Sequence, residues 1–311
     1  MNLPRQVVMK EVGPRDGLQN EKQKILTEDK ISFINQLSES GLKYIEVTSF
    51  VHPEWIPQLA DAKDVLQSIK RNQTITYAAL VPNMRGLIRA LEAEVDEVSV
   101  FLSASETHNK NNINKTIDET IPILKEVVQE GLKANRSVRG YVSTVIGCPY
   151  EGYIEPEQVL KVVDALFNMG VTEVSLGDTI GVGVPTQVEK LLARLFNEYP
   201  PNVFAMHFHD TRGTALANIV KSLEMGITIF DSSVGGLGGC PYAKGATGNV
   251  ATEDLLYLLT EMGIETGVNM EAILASAFFI EEKIGRKLGS KQLEIARGKR
   301  GLAHSDSKHT V

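Results

Sequence analysis

Residues 159–181 read VLKVVDALFNMGVTEVSLGDTIG, and this stretch decides the fold. Val159, Val162, Val163 and Leu166 recur at i, i+3, i+4 and i+7, the spacing that lays one apolar stripe along a helix. Gly170 stands where a helix end turns left-handed, a backbone region open to a residue without Cβ. The run that follows is apolar or small on both alternations, as a strand covered on both faces must be, and it ends in the polar Asp178. The same unit recurs in SESGLKYIEV, QEGLKANRSVRGYV and EMGITIFDS, which puts Gly41, Gly131 and Gly226 in the role of Gly170. Further stripes are Val188, Leu191, Leu192 and Leu195, then Leu216, Ile219, Val220 and Leu223, then Leu255, Leu258, Leu259 and Met262. Strands are expected near 6–11, 44–49, 74–80, 97–102, 138–144, 172–177, 203–209 and 228–234. Strands alternating with helices over roughly 250 residues predict an α/β fold of the (β/α)8 TIM-barrel type. An open doubly wound sheet ranks second, because no strand reads as an edge. Residues 264–290 are expected to add a C-terminal helical cap, and 298–311 read as a flexible polar tail. With no linker, 1–311 is expected to be a single catalytic domain.

A net charge of −7 argues against a phosphate-tracking surface, so no nucleic-acid partner is expected. Two cysteines, Cys148 and Cys240, are too few for a disulfide framework or a thiolate zinc site, which favours a reducing compartment. The N-terminal residues show neither an apolar signal core nor an Arg-rich leader, so the expected location is cytoplasmic. No apolar run approaches the ~20 residues of a membrane span, and no membrane partner is expected.

In a parallel barrel the reactive groups gather at the C-terminal strand ends. Arg15 and Asp16 follow the first strand, Glu46 and Ser49 lie on the second, and Asp178 closes the sixth. In FAMHFHDTRG, His207 and His209 are two apart and project to one face of an extended chain. With Asp16 and the amide of Asn249 they could form a nitrogen and oxygen metal site. Hard oxygen donors suit Mg²⁺ or Mn²⁺, while the imidazole pair alone would also accept Zn²⁺ or Fe²⁺. The segment SSVGGLGGCPYAKGATGNVATEDL crowds glycines around Cys240, giving a loop able to move and a thiol that is a candidate acid or nucleophile. It contains neither a dinucleotide fingerprint nor a P-loop. Cys148 reads as a buried, inert thiol. His52, His304 and His309 read as solvated, as does His108 within a long loop, SASETHNKNNINK; Trp55 is expected to pack under the second loop.

Taken together, EVGPRDGLQNEK, YIEVTSFV, VRGYVS, GCPYEG, SLGDTIGVG, HFHDT and GGLGGCPYAKGATGNVATEDL resemble the 3-hydroxy-3-methylglutaryl-CoA lyase family, from about residue 7 to about residue 290. The resemblance implies cleavage of that acyl-CoA to acetyl-CoA and acetoacetate with Mg²⁺ or Mn²⁺, by a homodimer. It places the metal ligands on Asp16, His207, His209 and Asn249, and the catalytic groups on Arg15, Asp16, Glu46, Asp178 and Cys240. Arg15, Ser49 and Lys22 are the candidate substrate contacts, with Lys24 beside Lys22 as a second candidate for the CoA phosphates. The C-terminal cysteine of animal members is absent, since the matching region reads LEIARGKR, so their thiol switch is not expected. A lyase for a related 3-hydroxyacyl-CoA and a Claisen-type synthase on the same frame are the rival activities, and a barrel that binds without turnover is the rival class.

Overall fold

The computed structural model describes residues 3–239 and 248–306, excepting the side chains of 301–306. Eight strands close into a barrel: β1 (Val8–Glu11), β2 (Tyr44–Ser49), β3 (Thr76–Leu80), β4 (Glu97–Ser103), β5 (Ser137–Ser143), β8 (Glu173–Asp178), β9 (Phe204–Phe208) and β10 (Ile229–Ser232). Two short strands, β6 (Gly147–Cys148) and β7 (Gly152–Tyr153), form a hairpin in the loop after β5. Every barrel pairing is parallel, and β10 closes on β1 through Val8↔Ile229 to Glu11↔Ser232. The closed ring leaves no sheet edge, which removes the doubly wound alternative.

Helices alternate with the barrel strands, and most carry a buried apolar stripe. On α6 (Pro156–Met169), Val159, Val162, Val163 and Leu166 are buried, the stripe read from the sequence. Gly41 is left-handed with φ 93°, and an added Cβ there would come 2.2 Å from the Gly267 carbonyl oxygen. Gly131 departs from expectation. It lies inside α5 (Ile117–Lys133), and the left-handed residue after the helix is Asn135, with φ 57°. Gly131 instead serves close packing, since a Cβ would stand 3.4 Å from Val138 Cγ2.

Three other readings change. The stretch taken as a solvated loop after β4 contains α4 (Glu106–Ile113), capped by Ser105, whose hydroxyl accepts from the His108 amide. His108 is only 7% exposed, its Nδ1 is 3.1 Å from Ser103 Oγ, and burial lowers its pKa. Trp55 does not pack beneath the second loop, being 68% exposed. In the C-terminal region α10 (Met270–Ile284) is followed by α11 (Lys291–Asp306), which runs into the stretch read as a tail. Cys148 is buried, and its thiol donates to Ser105 Oγ at 3.0 Å.

The barrel interior is not the apolar stack usual for this architecture. Lys10, Tyr44, Arg139, Asp231 and Ser175 are all buried on the strands. They support the floor of the mouth above them.

Candidate active site

Past β1, Gly13–Gly17 wind one wide helical turn in which the amides of Arg15, Asp16 and Gly17 all donate to the Val12 carbonyl. The turn aims two consecutive charged side chains across the barrel mouth. Arg15 Nε donates to Glu46 Oε2 at 2.5 Å, and Arg15 Nη1 donates to Asp16 Oδ1 at 2.6 Å. Burial disfavours the guanidinium charge, but Glu46 and then Asp16 outweigh it and push the Arg15 pKa upward. Arg15 therefore stays cationic at any working pH.

The other oxygen of Asp16 looks toward β9. Asp16 Oδ2 accepts from Asn249 Nδ2 at 2.8 Å and lies 3.9 Å from His207 Nε2. The His207 and His209 ring centroids are 5.5 Å apart, as the two-residue spacing predicts. One ligand atom from each of Asp16, His207 and His209 lies within 4.8 Å of the others. Burial raises the Asp16 pKa, but Arg15 and then the two imidazoles overcome it, leaving the carboxyl at about 2. Burial, followed by the repulsion of His207, lowers His209 to about 4. A neutral imidazole and an ionised carboxylate are the protonation states metal ligands need.

The residues fit a divalent cation. Two imidazoles and a carboxylate converge, and His209 Nδ1 is buried without a hydrogen-bond partner among the described residues. A buried polar atom left unpaired is costly, and ligation is a reason to keep it. Asn249 joins the cluster by its amide nitrogen, which donates to Asp16 and also to the Leu237 carbonyl at 3.0 Å. Its strand position is fixed by a bridge to His209 and by the Asp210 amide, which donates to the Gly248 carbonyl at 2.7 Å.

The remaining predicted residues sit in different places. Both Asp178 oxygens accept from the amides of its own loop, Gly183 at 2.8 Å and Val182 at 3.2 Å, although burial still raises its pKa. Asp178 thus shapes the loop after β8 rather than bonding to the cluster. Ser49 is buried at the end of β2, where its hydroxyl accepts from the Val51 amide. Lys22 and Lys24 are exposed on the rim of a groove of about 450 Å³ shared with Gln19, Trp55 and Gln58. Cys240 lies outside the described residues.

Residues not singled out from the sequence hold the site from below. Glu11 is fully buried; its Oε1 accepts from the amides of Gly13 and Val234 at 2.8 and 3.0 Å, and its Oε2 from Thr252 Oγ1 at 2.6 Å. One carboxylate thereby ties together the turn bearing Arg15 and Asp16, the start of the glycine loop and the helix after Asn249. Glu253 accepts from the Gly235 amide in the same seam. Burial raises both carboxyls to about 7. The available signal was charge within a largely apolar run, as at Lys10 and Glu11, Arg139 and Asp231.

The HMGL-like family model matches residues 6–280. Hydroxymethylglutaryl-CoA lyase YngG of Bacillus subtilis is 58% identical over 295 residues, 95% of this chain and 99% of the relative. A crystal structure of the Bacillus subtilis HMG-CoA lyase superposes with a TM-score of 0.94 at 57% identity, covering 96% of this chain and 100% of that one. An HMG-CoA lyase from Acinetobacter baumannii, solved in complex with coenzyme A and 3-methylmalate, superposes with a TM-score of 0.89 at 38% identity, covering 93% and 94%. Sequence, fold and site converge: the chain belongs to the HMGL-like family, carbon–carbon lyases that use a divalent cation, and within it to the hydroxymethylglutaryl-CoA lyases.

Proposed function

We propose that this protein cleaves 3-hydroxy-3-methylglutaryl-CoA to acetyl-CoA and acetoacetate, with Mg²⁺ or Mn²⁺ held by Asp16, His207, His209 and the amide oxygen of Asn249. The observation that carries the reading is the convergence of a carboxylate and two imidazoles within 4.8 Å, directly against Arg15. When bound, the divalent cation supplies Lewis acidity to the substrate's hydroxyl and carbonyl oxygens.

The chain's own groups divide the rest of the work. Cleavage moves the hydroxyl proton to a base, breaks the bond between the carbinol carbon and the thioester α-carbon, and leaves an enolate that must be protonated. Both Asp16 oxygens already accept hydrogen bonds and its pKa is about 2, which makes it a poor base. Glu46 Oε1 is buried with no partner among the described residues, so Glu46 is the acceptor for the hydroxyl proton. Arg15 spends Nε on Glu46 and Nη1 on Asp16; Nη2 makes no hydrogen bond among the described residues and is free to donate to the enolate oxygen. Cys240 protonates the enolate carbon.

Lys22 and Lys24 on the rim groove take the CoA phosphates, and Ser49 and Arg15 face the acyl end. No helix among the described residues is long and apolar enough to cross a membrane. A homodimer acting in the cytoplasm completes the reading, and sedimentation and cell fractionation check those two points. For the chemistry, purified protein is incubated with the acyl-CoA in Mg²⁺, Mn²⁺ or chelator, and acetoacetate and acetyl-CoA are assayed separately. Equal release of both, abolished by chelator, is expected; release of free CoA without acetoacetate sinks the assignment.

A further inference from the structure

The two imidazoles of β9 are held in different ways. His209 Nδ1 has no hydrogen-bond partner among the described residues, whereas His207 Nδ1 lies 3.2 Å from Asp231 Oδ2 on the adjacent strand. The pairing register makes this contact obligatory, because Asp231 and His207 are direct partners across β10 and β9. Asp231 is itself immobilised. Arg139 Nη2 donates to Oδ1 at 2.6 Å, Arg139 Nη1 to Oδ2 at 3.2 Å, and Ser175 Oγ to Oδ2 at 2.8 Å.

Arg139 grips the imidazole from a second side. Its Nη1 also donates to the Tyr141 hydroxyl at 2.7 Å, and the Tyr141 ring meets His207 edge-on, centroids 6.2 Å apart at 87°. Arg139 Nε is fixed by Glu173, which also accepts from Lys10. A chain of buried groups thus runs from the barrel interior to one imidazole and stops there.

A carboxylate that faces a guanidinium fork and a hydroxyl donor has only acceptor capacity left to offer. The ring nitrogen facing it must carry the proton. We propose that Asp231 is a positioning residue: it fixes His207 as the Nδ1–H tautomer and turns the Nε2 lone pair toward Asp16, where the two would serve as ligands of a divalent cation. Such carboxylate–imidazole pairs raise ligand basicity and prevent ring rotation, and losing one typically weakens metal binding about 10–100-fold. This role rests on the metal reading proposed above.

The test has two arms. In the first, ¹⁵N-histidine NMR of the metal-free, full-length protein assigns the His207 tautomer, which needs neither variant nor activity. A proton on Nδ1 is expected; a proton on Nε2 with Nδ1 bare overturns the proposal. In the second, Mn²⁺ binding is followed by the loss of the free-ion EPR signal for wild type, Asp231→Asn and Ser175→Ala. Asn presents an amide where two donors converge, so Mn²⁺ affinity should fall about 10–100-fold while the far-UV CD spectrum is retained. Ser175→Ala keeps the carboxylate and should give a smaller loss in the same direction, which keeps this arm decisive if Asp231→Asn does not fold. Wild-type affinity in a folded Asp231→Asn overturns the proposal. Wild-type protein with Nδ1–H that binds no Mn²⁺ sinks the metal reading instead, and leaves the orientation of His207 standing.

Discussion

The barrel mouth and the barrel interior contain similar charged residues treated in opposite ways. In the interior, Arg139 is fully buried and satisfied, with Glu173, Tyr141 and Asp231 accepting from its nitrogens. At the mouth, Arg15 is nearly as buried, but Glu46 Oε1 and His209 Nδ1 beside it have no partner among the described residues. Buried polar atoms without partners forfeit stability; the Tyr44 hydroxyl in the interior is one as well, but at the mouth two such atoms stand beside one arginine and a carboxylate–imidazole cluster, which supports the proposed ligand site there. Charge alone does not distinguish a structural arginine from a catalytic one. The further clue is that every nitrogen of Arg139 is spent on a structural partner, while the role proposed for Arg15 uses one that is not.

The sharpest way to break this contrast is to strip the interior. Arg139→Met strands Asp231 as an uncompensated buried charge, and removing one member of such a pair should cost about 3–5 kcal/mol in urea unfolding. Glu173 keeps Lys10 as a partner at 2.7 Å, so Asp231 carries most of that penalty. Adding Asp231→Leu to Arg139→Met should recover much of the stability but not the Mn²⁺ affinity, because an apolar replacement can stand in for the pair yet cannot orient His207. A double variant that regains both would erase the distinction between the two regions.

Next in size is the mouth. Arg15→Lys keeps the charge but loses the planar fork that serves Glu46, Asp16 and substrate together. A fall in kcat of about 10²–10³-fold is expected, with little change in melting temperature. A rate within a few-fold of wild type, or a large drop in melting temperature, would put Arg15 in the structural class with Arg139. Cys240→Ala should fold and bind Mn²⁺ normally yet lose on the order of 10² in kcat, the lower range for removing a general acid. Near-native turnover removes it from the mechanism.

Much of the barrel was legible because burial on both faces leaves a mark in the sequence. Every residue of β2, YIEVTS, is buried, and the strand falls where the apolar run placed it. His207 and His209 were legible because a period of two puts them on one face. What the sequence withheld depends on register and distance. Arg139 and Asp231 are 92 residues apart, and only the ring closure brings them together. Asp231 in IFDSS and the adjacent Lys10 and Glu11 in VVMKEV are charges set into apolar runs, which flags burial without naming partners. The helix α4 was hidden for a different reason. ETHNKNNI lacks an apolar stripe and is rich in poor helix formers, so its cap at Ser105 and the packing of His108 and Asn109 decide it.

Glu11 and Glu253, in the seam between the two regions, give the gentlest and most discriminating prediction. Both carboxyls stand at about 7 in the folded chain, against an ordinary 4.5. The folded state therefore holds more protons than the unfolded state between roughly pH 4.5 and 7, and stability falls as pH rises through that window. His209 opposes them: with its pKa lowered to about 4 from an ordinary 6.5, it makes the unfolded state the better proton binder between those values, so its contribution grows as pH rises. Glu11→Gln removes one proton from the first group and leaves His209 untouched. Urea unfolding of the metal-free protein at several pH values should show the variant gaining on wild type as pH rises from 5 to 7, by at most about 1.4 kcal/mol per pH unit. If the two proteins instead keep a constant difference across that window, Glu11 is ionised throughout, and the seam belongs with the ion-paired interior around Arg139 rather than with the open mouth.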